Sequence, residues 1–189
     1  MPLGHVSLAA TPSTYKPMRD FYLSVLAPLG YTLFEEKEGC YLGLQTNYNP
    51  DFWLHCGGGG SGDGDGDDML LVDPSLTADE NRKRLGVRGN TGRAHVAFNV
   101  ASRRMVDVWY RNAVKSGGIP NGEPGERPQY VKGYYAAFVL DPLGNNVEAV
   151  YFCPWWMQAM KAVPGVLTVL FGVVAGHVAT GYAKSAGWM

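Results

Sequence analysis

With 189 residues, 46% of them apolar and 12% aromatic, the chain can build a buried core for one large domain or two small modules, and general disorder is excluded. A net charge of −1 gives no basis for nucleic acid or acidic lipid as the main partner. Cys40, Cys56 and Cys153 are an odd, widely spaced set without a Cys-x-x-Cys pair, which reads as reduced thiols of an intracellular protein and not as a disulfide frame.

The start, Met1-Pro-Leu-Gly-His5, lacks the charged and apolar regions of a secretory signal, so a cytoplasmic location is expected. Leu3 to Ala10 reads as a strand with Val6 and Leu8 on one face and His5 and Ser7 on the other. Ser13 or Thr14 can cap a helix whose stripe is Tyr15, Met18, Tyr22, Val25, Leu26 and Leu29, with Gly30 ending it. Three short strands follow, Tyr31 to Glu35, Cys40 to Gln45 and Asp51 to Cys56. Alternation on the last puts Trp53 and His55 on one face and Phe52 and Leu54 on the other. Residues 1–56 thus read as a βαβββ module.

Residues 57–92 break the pattern and read as a connector. Gly57 to Asp68 has the composition of a flexible acidic linker. Asp63, Asp65 and Asp67 imitate the start of a calcium loop, but Asp68 stands where that loop needs Gly. Thr77 to Leu85 is a candidate short helix. From Ala94 the first pattern returns over residues 93–153. Ala94 to Val100 reads as a strand, and Ser102 caps a helix with Val106, Trp109, Tyr110, Ala113 and Val114 inward. Gly117-Gly118 ends that helix, and a loop-rich stretch runs from 119 to 133. Tyr134 to Leu140 and Val147 to Phe152 are then two strands joined by the turn formers Asp141-Pro-Leu-Gly-Asn-Asn146. The tail, 154–189, is apolar. Residues 162–183 contain no Asp, Glu, Lys or Arg, so the tail reads as a packing helix or dimer arm, with membrane contact or a C-terminal anchor as the alternative.

The two modules repeat each other: His5-Val-Ser-Leu matches His95-Val-Ala-Phe, and each leads into a helix ended by glycine. His55 lies 50 residues after His5 and Glu148 lies 53 after His95, so the four fall at near-equivalent places. A glutamate inside an apolar strand is costly to bury unless it is paired or bound to a metal. His5, His95 and Glu148 therefore read as candidate ligands of one divalent ion, with His55 as a fourth. Trp53, Arg127, Tyr130 and Tyr134 are candidate substrate contacts, and Tyr135 joins Glu148 as a catalytic candidate. An aromatic packing cluster is the plainer account of the tyrosines.

These stretches resemble the vicinal oxygen chelate superfamily, which includes glyoxalase I, extradiol dioxygenases and the fosfomycin- and bleomycin-resistance proteins. The resemblance rests on His5-Val-Ser-Leu, Met18-Arg-Asp-Phe-Tyr22, Leu26-Ala-Pro-Leu-Gly-Tyr31, Pro50-Asp-Phe-Trp-Leu54, His95-Val-Ala-Phe98 and Phe138-Val-Leu-Asp-Pro-Leu-Gly-Asn-Asn-Val-Glu148. It implies an α+β fold in which paired βαβββ modules form a cupped mixed sheet around a central cavity, here with a C-terminal apolar helix added. It also implies one divalent metal ion (Fe, Zn, Ni or Mn) on His5, His95 and Glu148. The activity implied is lyase, isomerase or ring-cleaving oxygenase chemistry on a small substrate with adjacent oxygens. Relatives of the glyoxalase I type carry Glu at the fourth position, where this chain offers His55, or Trp53 if the register slips by two. A metal-free binding protein of the bleomycin-resistance kind is the alternative, and a homodimer is a candidate assembly.

Overall fold

Alternating burial defines the first strand, β1 (Val6–Ala10): Leu8 and Ala10 are buried while Ser7 and Ala9 are exposed. The protein is described from a computed structural model over residues 4–46, 49–56, 71–85 and 94–153. The chain divides into Met1–Phe152 and Cys153–Met189. The predicted C-terminal helix and its membrane segment at 162–183 lie outside the described residues, as do 57–70 and 86–93. Among the described residues no helix is long and apolar enough to cross a membrane, and none of the three cysteines is in a disulfide.

Helix α1 (Pro12–Leu26) begins one turn earlier than predicted, with Thr11 as N-cap and Thr14 Oγ1 accepting from the Thr11 N–H at 2.9 Å. It buries Tyr15, Met18, Tyr22, Val25 and Leu26 of the predicted stripe and adds Phe21, while Leu29, beyond the helix, is only half-buried. A short 3-10 turn (Ala27–Leu29) ends at Gly30, whose φ of 88° is a conformation that favours glycine. Strands β2 (Thr32–Lys37), β3 (Tyr41–Thr46) and β4 (Asn49–Cys56) complete the module. The second module repeats it as β5 (His95–Asn99), α3 (Arg103–Lys115), β6 (Ile119–Glu126), β7 (Tyr134–Leu140) and β8 (Asn146–Phe152). Each module is a four-stranded mixed sheet, ordered β1-β4-β3-β2 and β5-β8-β7-β6. In both, the first strand runs parallel to the last, and the remaining pairs are antiparallel.

One core serves both modules. Leu8, Phe52 and Leu54 of the first join Phe98, Trp109 and Val147 of the second, and the Phe52 and Phe98 rings lie 5.8 Å apart. Polar bonds tie the helices as well: Asn112 Nδ2 donates to the Ser24 carbonyl at 2.7 Å. The firmest link is Asp141, fully buried in the β7–β8 turn. Its carboxylate accepts from the Tyr22 hydroxyl of α1 at 2.8 Å, from the Asn145 amide at 2.8 Å, and from the Leu143 and Asn145 backbone N–H groups at 2.9 Å.

Two expectations are corrected. The stretch 119–126 was expected as loop because Pro120, Gly122, Pro124 and Gly125 crowd it, yet it forms β6. It lies at a sheet edge, where a strand can lack N–H donors on its open side. Part of the connector also folds onto the second module. Residues 71–85 carry helix α2 (Ala78–Arg84), whose capping box joins Thr77 and Glu80. Val72 N–H bonds the Pro142 carbonyl at 2.8 Å, and buried Asn81 bonds the Asp73 backbone from both ends of its amide.

From α1, Arg19 Nη2 donates to Glu36 Oε2 of β2 at 3.0 Å, and its Nε bonds the other oxygen. The hydrogen bond from Arg19 holds the Glu36 carboxyl below the usual glutamate range. A carboxyl with a depressed folded value adds stability above its unfolded value, near pH 4.3, and loses it as pH falls through the folded value. Glu36→Gln should therefore lower stability modestly at neutral pH, leave it nearly unchanged at pH 3, and so flatten the acid limb of the stability–pH curve, as measured by urea unfolding from pH 3 to pH 7.

Candidate functional site

Strand register decides what the two modules contribute. Aligning His5 with His95 makes Val6 the counterpart of Val96. The parallel pairs Ser7–Trp53 and Ala97–Glu148 then occupy the same place in their sheets. Trp53, not His55, is the counterpart of Glu148, and His55 matches Val150, which pairs with Asn99. The first module therefore has no carboxylate at this position.

The exchange extends to the next strand. Trp53 pairs across β3 with Gly43, whereas Glu148 pairs across β7 with Phe138. A Cβ on Gly43 would sit 2.8 Å from the Trp53 ring, so the glycine makes room for the indole. Gly122 makes the same allowance for Phe138, again at 2.8 Å. Gly43→Ala should cost about 1–3 kcal/mol in chemical denaturation, the usual range for overpacking. The cost should shrink in a Trp53→Ala background, since the two positions are coupled.

The second module gathers the polar cluster. β8 alternation aims Glu148 and Asn146 to one face while Val147 and Ala149 enter the core. The Glu148 side chain is only 3% exposed; His95, on neighbouring β5, is 51% exposed. His95 Nε2 lies 3.0 Å from Glu148 Oε2, and the Tyr134 hydroxyl donates to Oε1 at 2.7 Å. Burial, then the bond to Glu148, pushes the Tyr134 hydroxyl up, so it remains a proton donor at neutral pH. Behind His95 runs a line of amides. Asn146 Nδ2 faces His95 Nδ1 at 2.6 Å, and Asn121 Nδ2 donates to Asn146 Oδ1 at 2.8 Å. Arg82 of α2 donates to Asn121 Oδ1 at 2.5 Å.

The remaining candidates divide. Arg127 lies over the Phe138 ring at 5.4 Å and donates to the Glu123 and Glu126 carbonyls; Tyr130 is exposed and meets Tyr134 edge-on, with ring centres 5.3 Å apart. Tyr135 is a correction. Strand alternation turns it to the helix side, where its hydroxyl bonds Asp107 of α3 at 2.9 Å and Arg103 sits over its ring. Trp53 and His55 stay in the first module, stacked at 5.8 Å, with His55 Nδ1 2.5 Å from Ser7 Oγ. His5 is exposed, just ahead of β1. Asn146, Asn121 and Arg82 were not anticipated. Asn146 could have been found by stepping back two residues from Glu148 on the same strand face.

The predicted metal set is not gathered. Among the described residues no three His, Cys, Asp or Glu side chains converge in a way that could hold a metal ion. The orientation of His95 disagrees as well. A ligating imidazole offers a lone pair to the metal and gives its other N–H to an acceptor. Here the other nitrogen faces a donor, the Asn146 NH2. As arranged, the cluster does not fit a metal. A pocket of about 380 Å³ lies between α1 and β2, lined by Tyr15, Lys16, Arg19, Glu36 and Glu38.

No family model and no curated protein matches the sequence. Solved structures do match the fold. A glyoxalase/bleomycin resistance protein from Albidiferax ferrireducens T118 is 16% identical with a TM-score of 0.52, covering 79% of this chain and 98% of that one. A glyoxalase/bleomycin resistance protein/dioxygenase family enzyme from Burkholderia phytofirmans PsJN is 17% identical at 0.51, covering 81% and 100%. A glyoxylase/bleomycin resistance protein/dioxygenase domain from Frankia sp. EAN1pec is 18% identical at 0.51, covering 81% and 98%.

Proposed function

We propose, from the premise that the chain has the fold of the glyoxalase/bleomycin-resistance/dioxygenase proteins, that it takes up a small molecule with adjacent oxygens at the His95–Glu148–Tyr134 cluster without a metal. One observation carries this reading: a buried carboxylate whose two oxygens are held by a tyrosine hydroxyl and a half-exposed imidazole. Such a carboxylate is expensive in a strand that would otherwise be apolar. Two donors with a strong acceptor between them suit a compound carrying neighbouring oxygens. Entering ligand oxygens would take the His95 and Tyr134 donors, freeing Glu148 to accept a proton from the ligand. Arg127 and Phe138 would border the ligand. Sequestration needs only the first of these steps; an isomerase would need both.

A divalent-metal-dependent lyase, isomerase or ring-cleaving oxygenase is the second reading, and one distance favours it. Two donors at about 2.1 Å from an ion and at right angles lie about 3.0 Å apart, which is the His95–Glu148 separation. That reading requires the Asn146 amide to turn over and a further ligand to arrive from elsewhere.

Thermal unfolding of the full chain, purified without chelators, separates the two. Oxalate and catechol serve as vicinal-oxygen probes, with and without Zn, Ni or Fe(II). The first reading expects a rise in midpoint that is independent of metal and lost in His95→Ala. A rise that appears only with metal selects the second reading. No rise under any condition removes the cluster as a binding site.

A further inference from the structure

We propose that Arg82, acting through Asn121 and Asn146, sets the tautomer of His95, so that Nδ1 is the acceptor and Nε2–H points at Glu148. A guanidinium has N–H donors and no acceptor, so the Asn121 atom facing Arg82 at 2.5 Å must be the amide oxygen. The Asn121 NH2 then points the other way and donates to Asn146 Oδ1 at 2.8 Å. That turns the Asn146 NH2 toward His95 Nδ1 at 2.6 Å. An NH2 group only donates, so Nδ1 holds a lone pair and the imidazole proton is on Nε2, 3.0 Å from the carboxylate. Every link runs in one direction from Arg82 to Glu148, the arrangement in which neighbouring bonds polarise one another. Reversing either amide would set donor against donor or oxygen against oxygen, and Arg82 excludes that at its end of the line.

The starting point is well held. Arg82 Nη2 is bonded to Asp79 at 2.5 Å, and the α2 segment is pinned by its capping box and by buried Asn81. Part of the connector between the modules therefore governs a nitrogen in the cluster. Arg82, Asn121 and Asn146 are positioning residues, and their arrangement withholds the Nε2 lone pair from a metal.

The inference rests on His95–Glu148 being the working pair, but its readout needs no ligand and so fails or stands separately from the binding proposal. Long-range ¹H–¹⁵N NMR of the full chain, above the imidazole titration range, reports which nitrogen carries the proton. Wild type should show Nε2–H. Asn146→Asp keeps the shape but replaces the donor with an acceptor, and should invert His95 to Nδ1–H. Arg82→Ala should admit the Nδ1–H form as a second population, and Arg82→Lys, also a donor only, should restore the wild-type pattern. Zinc alone, followed by calorimetry, should bind Asn146→Asp at least tenfold more tightly than wild type. Nδ1–H in wild type, or an unchanged pattern in Asn146→Asp, overturns the relay. An Arg82→Ala spectrum identical to wild type overturns the role of Arg82. Backbone amide spectra confirm that each variant is folded.

Discussion

Asp141→Ala should be strongly destabilising. The carboxylate is fully buried and accepts four hydrogen bonds, one of them from Tyr22 in the other module. Burial pushes the Asp141 carboxyl up and the four donors work against that, so the group is tolerated only because its acceptor capacity is used. Truncation leaves those donors facing a void. Losing one partner of a buried charged network typically costs about 3–5 kcal/mol, which lowers the midpoint of a chain this size by roughly 10 °C. Tyr22→Phe removes only the bond between modules and should cost about 1–3 kcal/mol. A double-mutant cycle in urea should show strong coupling, because the two side chains share that bond. If Asp141→Ala costs less than about 1 kcal/mol, the turn does not join the modules energetically.

The same turn shows why the fold was legible. Asp141-Pro-Leu-Gly-Asn145 advertises its geometry: Gly144 has a φ of 80°, and a Cβ there would come within 2.6 Å of Leu85. Core strands declare themselves by alternation, and Phe52 and Leu54 lie on the helix-packed side as expected. The site was less legible. Loop lengths differ between repeats, so counting residues pointed to His55, whereas pairing places Trp53 opposite Ser7 where Glu148 lies opposite Ala97. Register is a matter of which backbone groups pair, and spacing along the chain does not determine it. Asn146 was hidden because asparagine next to Gly144 and Asn145 reads as turn chemistry. Asn121 was hidden in an edge strand that proline and glycine disguise as loop. Arg82 was hidden in a segment read as linker, because the bond that gives it meaning spans 39 residues.

Removing the Glu148–Tyr134 pair should weaken ligand uptake sharply without harming the fold. Glu148 lies between apolar neighbours on β8, with Val147 and Ala149 fully buried and Ala97 and Phe138 as its cross-strand partners. Replacing a buried polar pair by apolar groups of similar shape is often neutral or stabilising, whereas removing one member alone strands the other. Glu148→Met alone should therefore cost about 1–3 kcal/mol, because the Tyr134 hydroxyl loses its acceptor. Adding Tyr134→Phe should recover most of that loss. Catechol affinity should meanwhile fall by about 100-fold, equivalent to about 2.7 kcal/mol of charge-assisted contact. The opposite pattern, with the double variant several kcal/mol less stable and ligand affinity unchanged, would make the cluster a structural pin. Stability and binding point in opposite directions here because the carboxylate adds little to a sheet that apolar residues could complete. Its cost is understandable only if something outside the sheet makes use of it.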